Sequence, residues 1–217
     1  MISQIRSRVT RWLDARFPAP EPPVGISIKT PRLVLREMEA RDHDAISGYL
    51  SDPDVLLFQA RMRPYSVEEC WNRILFARKQ IPKTPRGSFS LAVVLEQSDQ
   101  TIGECDLTLL FGADDGKPTA TATIGFMIQR DQWNLGYATE AARGLLGFAF
   151  TDLGLEQVFG GCLPDNTASK RVLEKLGMKY ESTHEDFPGC PPGTEALVYS
   201  LTRDQWSATD RSDRMVE

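Results

Sequence analysis

The chain has 217 residues, a formal net charge of −5, 41% hydrophobic and 25% charged residues. That length holds one domain with a sizeable core and room for an appendage, and the composition is that of a globular protein. The acidic balance argues against a general nucleic-acid binder, and no apolar run reaches the ~20 residues that span a bilayer.

Residues 1–23 read as a unit of their own. Ile2, Ile5, Val9, Trp12 and Leu13 recur at helical spacing, and Arg6, Arg8, Arg11 and Arg16 against Asp14 give net +3. A Pro-rich stretch over residues 17–24 then reads as a stiff linker. The segment lacks the apolar core and small-residue cleavage site of a secretory signal. A basic amphipathic helix suits a partner or an anionic membrane surface; packing on its own domain or fraying is the alternative.

The remainder alternates strand and helix. Residues 26–36 read as a strand and 40–50 as a helix that Pro53 stops. Ser66 and Glu69 form a capping box for a helix to about Gln80. Residues 87–95 and 101–111 read as paired strands joined by a turn at 97–100, and 112–118 as a loop. A strand over 121–129 leads into a helix over 138–153, and 156–163 is a short strand. Asn166 is placed to cap a helix that ends at Gly177. Strands at 179–184 and 196–201 close the sheet around a loop at 187–193, which holds three prolines and two glycines. Residues 207–217 read as a polar, flexible tail, leaving 24–206 as the folded domain.

The four cysteines, Cys70, Cys105, Cys162 and Cys190, show no C-x-x-C spacing, and the only histidines are His43 and His184. That pattern disfavours a zinc site and suits a reducing cytoplasm. Cys190, beside Pro191 and Pro192, is expected to be the exposed one.

The chemistry concentrates where the strand at 121–129 turns into the next helix, through Trp133-Asn134-Leu135-Gly136-Tyr137-Ala138-Thr139. A helix N-terminus leaves about four N–H groups unpartnered and carries a partial positive charge. Small residues there let a phosphate approach the backbone. The segment is neither G-x-G-x-x-G nor G-x-x-x-x-G-K-[ST].

With Trp133-x-x-Gly136-x-Ala138 in the place of [QR]-x-x-G-x-[GA], this segment resembles the phosphate signature of the GNAT superfamily of acyl-CoA-dependent N-acetyltransferases, in the W-G-x-G-Y-A-T-E-A form of the RimJ/RimL-like branch. Thr30-Pro31-Arg32-Leu33-Val34-Leu35-Arg36 is similar to that branch's opening strand. Residues 166–178 resemble its N-x-x-S-x-R-V-x-E-K-x-G-F block, and Thr202-Arg203-Asp204-Gln205-Trp206 its closing segment. The blocks span residues 26–206 in order.

The resemblance implies an α/β (α+β) GNAT fold. Its sheet is mixed but mostly antiparallel, with six to seven strands, about four helices and a splayed V between the fourth and fifth strands. It implies transfer of an acetyl group from acetyl-CoA to a primary amine, on a protein N-terminus or a small molecule, without a metal. Pyrophosphate would meet Trp133, Asn134, Leu135, Gly136, Tyr137, Ala138 and Thr139, and pantetheine the backbone of Phe126, Met127 and Ile128. Leu135 replaces the Lys or Arg frequent in this loop, which removes a side-chain phosphate contact.

The family gives Asn166 a hydrogen bond to CoA beside its role as cap, and Ser169 the protonation of the departing thiolate. Leu173 stands where many relatives carry a tyrosine acid, and Thr123 where many carry a glutamate base. Glu104 is then the first candidate for the base, ahead of Glu185 and Asp186. Residues 56–64, 82–86 and 187–193 are expected to line the acceptor pocket. A homodimer is compatible with the sequence. A non-catalytic acyl-CoA-binding module tethered by the N-terminal helix is the competing reading, motivated by Leu173 and Thr123.

Overall fold

The computed structural model describes residues 25–59, 63–83, 86–110 and 120–214. The basic N-terminal segment, its linker and the loop at 112–118 lie outside the described residues.

One sheet organises the chain. Its strands are β1 (Ser27–Lys29), β2 (Leu33–Glu37), β3 (Ser88–Leu95), β4 (Gln100–Leu110), β5 (Thr121–Ile128), β6 (Gln157–Cys162), β7 (Lys179–Glu185) and β8 (Glu195–Thr202). Their spatial order is β1-β2-β3-β4-β5-β6-β8-β7. All neighbours are antiparallel except β5 and β6. The eighth strand arises because residues 26–36 form a hairpin rather than one strand. Pro31 fixes φ and has no N–H to offer. The Thr30 amide donates to the Leu33 carbonyl at 2.9 Å, and the Leu33 amide donates to Thr30 Oγ1 at 3.1 Å.

Two helical layers cover the sheet. On one face lie α1 (His43–Tyr49, entered by a 3-10 turn), α2 (Pro53–Leu56) and α3 (Val67–Gln80). They bury Ile46, Tyr49, Leu50, Leu56, Cys70 and Ile74 against Ala92 and Val94. The capping box is present: the Glu69 amide donates to Ser66 Oγ and the Ser66 amide to Glu69. Pro53 not only stops α1 but opens α2, where its missing N–H is harmless.

The opposite face carries α4 (Tyr137–Gly147), a π turn at Phe148–Asp152 and α5 (Thr167–Lys175). Leu145, Leu146 and Leu173 join Leu35, Leu91 and Leu107 in the larger core. The chain closes with α6 (Arg203–Arg214). This helix extends over residues whose polarity suggests a tail; Trp206 is its apolar anchor, 8% exposed and tilted against Phe150.

All four cysteines are buried and free, Cys190 included. Its loop is folded onto the sheet rather than raised from it. The Cys190 amide donates to the Phe187 carbonyl at 3.0 Å, and the Phe187 ring lies where a side chain at Gly161 of β6 would go.

Candidate active site

Strands β5 and β6 run parallel and pair over only four positions, from Thr121↔Gln157 to Ile124↔Gly160. Beyond them each strand follows its other neighbour: β5 stays with β4 through Ile128↔Gly103, and β6 stays with β8 through Cys162↔Leu197. A V-shaped gap therefore opens after Ile124, between the strands expected to splay.

The register decides what faces the gap. The Gln129 amide donates to Ile102 of β4 at 2.8 Å. Backbone groups alternate sides along a strand, so those of Met127 also point to β4, and those of Phe126 and Ile128 point into the gap. The Ile128 carbonyl is already taken by Trp133 Nε1 at 2.6 Å. Of the three residues expected to hold pantetheine, Phe126 thus offers both backbone groups and Ile128 only its amide. Side chains alternate too: Phe126 packs into the α4 core, and Met127 against the α1–α3 layer.

The gap ends at the loop before α4. Asn134 at φ 63° and Gly136 at φ 85° reverse the chain, a conformation costly for most L-residues. Gly136 is the N-cap, and it supplies no side-chain cap. The amides of the first turn, Tyr137, Ala138 and Thr139, therefore keep their hydrogens for another acceptor. Leu135 is 51% exposed and Trp133 41%. Trp133, which sits at the Gln/Arg position of the signature, acts as a latch between loop and strand.

What holds this loop was not legible as a motif. Glu140, one turn into α4, accepts from Thr30 Oγ1, the Arg32 amide and Arg32 Nε, each at 2.7 Å. Arg32 also donates to the Leu135 carbonyl at 3.0 Å and lies 4.4 Å from the centre of the Tyr137 ring. Burial alone would raise the Glu140 carboxyl; the donors from Thr30 and Arg32 outweigh it and hold it below its ordinary range. The β1–β2 turn thus clamps the phosphate loop, and a carboxylate occupied in this way does not compete with an anion for the amides.

Asn166 caps α5: its Oδ1 accepts from the Ser169 amide at 3.0 Å, which leaves its Nδ2 to donate elsewhere. Leu173 is buried and fills the space above Gly160, where a Cβ would lie 2.6 Å from Leu173 Cδ2. Because α5 runs back along β6, Ser169, one turn before Leu173 on the same face, sits toward the open end of the gap. Its hydroxyl has no hydrogen-bond partner among the described residues.

Glu104 does not face the thioester freely. It is 1% exposed, and both its oxygens are engaged, by Arg73 Nε at 2.7 Å, by Arg73 Nη2 and by Tyr49 Oη at 3.1 Å. Tyr49 is buried, and burial together with the Glu104 charge raises its phenol well above its ordinary value, so it serves as a donor. Two residues on, Asp106 shares the sheet face with Glu104 but is 28% exposed, with Arg73 at 3.5 Å. Burial first, and then the Glu104 charge, push its carboxyl up to about 6, against the opposing pull of Arg73 and Ser90. Asp106 escapes a sequence reading because its cue is tertiary.

Of the segments expected around the acceptor, 187–193 reaches the gap through Phe187. Arg86 does not: it is buried in an ion pair with Glu37 at 2.6 and 3.0 Å. A cleft of about 310 Å³ between α1 and the turn after β5 is lined by Gly48, Tyr49, Asp52, Gln129, Arg130 and Asp131. Among the described residues no cluster of His, Cys, Asp and Glu is arranged to hold a metal.

A mostly antiparallel sheet with one divergent parallel pair, beside a helix whose first amides are left open, defines a coenzyme-binding α/β fold. Residues 32–179 match the acetyltransferase (GNAT) domain family, and the chain belongs to it. YnaD of Bacillus subtilis, described as an uncharacterized N-acetyltransferase, is 29% identical over 184 residues, which is 83% of this chain and 99% of YnaD. A GNAT-family acetyltransferase structure from Bacillus anthracis superposes with a TM-score of 0.69 at 27% identity, covering 82% of this chain and 99% of that one. RimJ of Mycobacterium smegmatis, in complex with CoA-disulfide, shares the fold at TM-score 0.67 and 19% identity, with 86% and 94% covered. The protein is an acetyl-CoA-dependent N-acetyltransferase that shares its architecture with RimJ.

Proposed function

We propose that this enzyme acetylates a primary amine, on a protein N-terminus or a small molecule, by direct attack on acetyl-CoA bound in the β5–β6 gap. The observation that carries this reading is the loss of β5–β6 pairing after Ile124↔Gly160, next to a first helical turn without a side-chain cap. Pantetheine enters the gap as a substitute strand on Phe126 and the Ile128 amide. Pyrophosphate takes the amides from Gly136 to Thr139, where the helix end favours negative charge. The side chains of Trp133 and Leu135 are not needed for that contact. The CoA-disulfide held by RimJ supports a CoA ligand in this fold.

Asn166 holds the coenzyme through Nδ2 while its Oδ1 caps α5. Ser169 then donates to the sulfur as the C–S bond breaks. No covalent enzyme intermediate is required, because holding amine and thioester together supplies much of the rate. The net charge of −5 favours a cationic acceptor. Free, buried cysteines suit a reducing compartment, and we place the enzyme in the cytoplasm; among the described residues no helix is long and apolar enough to cross a membrane.

Calorimetric titration with acetyl-CoA, with CoA as comparison, tests the coenzyme site. Micromolar binding by the wild-type protein that Gly136→Val weakens roughly 100-fold, about 2.7 kcal/mol, is the expected result. Equal binding by both proteins overturns this assignment of the phosphate site.

A further inference from the structure

We infer that Asp106 is the group that takes the proton from the attacking amine. The inference rests on the coenzyme site proposed above and adds a residue to it. In register, Asp106 of β4 stands opposite Gly125 of β5, and Gly125 is the first residue past the last β5–β6 pair. Cross-strand partners present their side chains to the same face. A side chain at Gly125 would point toward Asp106, its Cβ 4.0 Å from Asp106 Cβ. Gly125 has none, so the position directly opposite on β5 puts no side chain between the Asp106 carboxylate and the mouth of the gap. Across the gap, Gly160 faces Leu173 and the coenzyme side, so Gly161 faces the same side as Asp106, where the Phe187 ring covers it. Asp106 and Phe187 thus form two walls of a trough floored by backbone, on the face of the sheet away from α5.

The charged and titratable groups around Asp106 divide the work. Glu104 on its own strand is held by Arg73 of α3 and Tyr49 of α1. Arg73 reaches Asp106 only at 3.5 Å, and Ser90 of β3 supplies a hydrogen bond. The β5 neighbours Gly125 and Met127 are uncharged. Glu104 is therefore the buried counter-ion of Arg73, and Asp106 is the carboxylate with access to solvent. A carboxyl raised to about 6 is ionised at neutral pH yet basic enough to accept a proton. Two adjacent carboxylates in unlike environments are a recurrent way to obtain such a group.

In the step itself, the neutral amine nitrogen bonds to the thioester carbonyl carbon. The C–S bond breaks and its electron pair goes to sulfur. One nitrogen proton passes to Asp106, directly or through one water, and the thiolate gains a proton from Ser169, which is replenished from solvent. Asp106 releases its proton to solvent, so amine and acetyl-CoA yield amide and CoA thiol. An acceptor that arrives as the ammonium ion first gives one further proton to solvent.

The experiment uses the full chain, with spermidine and an alanine-initiated peptide as acceptors, and follows thiol release from pH 5 to 9. The wild type is expected to show an acid limb in kcat/KM with a midpoint near 6. Asp106→Asn should lower kcat at least 100-fold, remove that limb and leave acetyl-CoA binding within twofold. A role confined to folding would change thermal stability or KM but not the limb. Asp106→Asn with kcat within threefold of wild type and the same limb overturns the proposal. Independently of any acceptor, the carboxyl carbon resonance that disappears in Asp106→Asn should titrate near 6 in the CoA complex; a midpoint below 4.5 overturns it too. Failure of the wild type to bind acetyl-CoA would instead overturn the coenzyme site on which the proposal rests.

Discussion

Helix α5 begins at Asn166, whose side chain accepts from the Ser169 amide, whereas helix α4 begins at Gly136, which has no side chain with which to do the same. Ser66 caps α3 and Asp52 caps α2 in the ordinary way. A capping side chain is worth about a few tenths of a kcal/mol over glycine at the N-cap, so the bare start of α4 carries a small stability cost. The clamp from Thr30 and Arg32 to Glu140 offsets it from outside the helix. The capped end satisfies its own backbone; the uncapped end keeps its amides for a ligand and takes its rigidity from a distant turn. At the start of α4 a missing local interaction is thus replaced by a long-range one.

The sharpest way to break this contrast is to fill the uncapped end. Gly136→Val puts a β-branched residue at φ 85°, with its Cβ 3.4 Å from Arg32 Nη2. It should weaken acetyl-CoA binding by roughly 100-fold, about 2.7 kcal/mol, as read by calorimetry, with circular dichroism showing a retained fold.

Asp106→Asn tests the neighbouring polar cluster through stability. The folded carboxyl lies at about 6 against an ordinary 3.8. Between those pH values the folded state binds a proton that the unfolded state lacks, so stability falls as pH rises through this window, and the deficit is complete above about 6. The variant should therefore gain roughly 2 kcal/mol over wild type at pH 7 and little at pH 4, by urea denaturation. Equal gains at both pH values would show that the carboxyl is not strained by its surroundings.

Glu140→Gln loosens the clamp. Because Arg32 is half exposed, the expected loss is only about 1 kcal/mol, with roughly fivefold weaker acetyl-CoA binding as the loop relaxes. The folded Glu140 carboxyl is lowered, so its contribution is full above about pH 4.5 and fades as pH falls further. The difference between variant and wild type should shrink in acid; a constant difference would mean that shape, not charge, holds the loop.

The capped end gives the smallest and most selective effects. Asn166→Ala should cost about 1 kcal/mol of stability. Asn166→Asp keeps the cap and should leave stability within about 0.3 kcal/mol, but it removes the Nδ2 donor and should weaken acetyl-CoA binding several-fold. If Asn166→Asp binds acetyl-CoA like wild type, Asn166 is a cap only.

Much of this was legible in the sequence because it is local. The capping box at Ser66 and Glu69, the cap at Asn166, the turn into α4 at Gly136 and the alternation in β4 and β5 each depend on residues a few positions apart. Periodicity and cap chemistry therefore fix them before any packing is known. The exclusion of Leu173 as the acid and of Thr123 as the base is local too, since leucine has no proton to give and a threonine hydroxyl is no general base at neutral pH.

What the tertiary structure decided are relations between residues far apart in the chain. Thr30 and Arg32 meet Glu140 across more than 100 positions. Glu104 and Asp106 look alike in sequence, as two acidic residues on one strand; Arg73 and Tyr49, brought from α3 and α1, make one a buried counter-ion and leave the other open. Cys190 reads as exposed beside two prolines, yet its loop folds onto β6 because Gly161 leaves room for Phe187. Residue type and spacing determine which elements form. Burial and partners determine what a carboxylate or thiol does, and both are set only when the sheet brings those elements together.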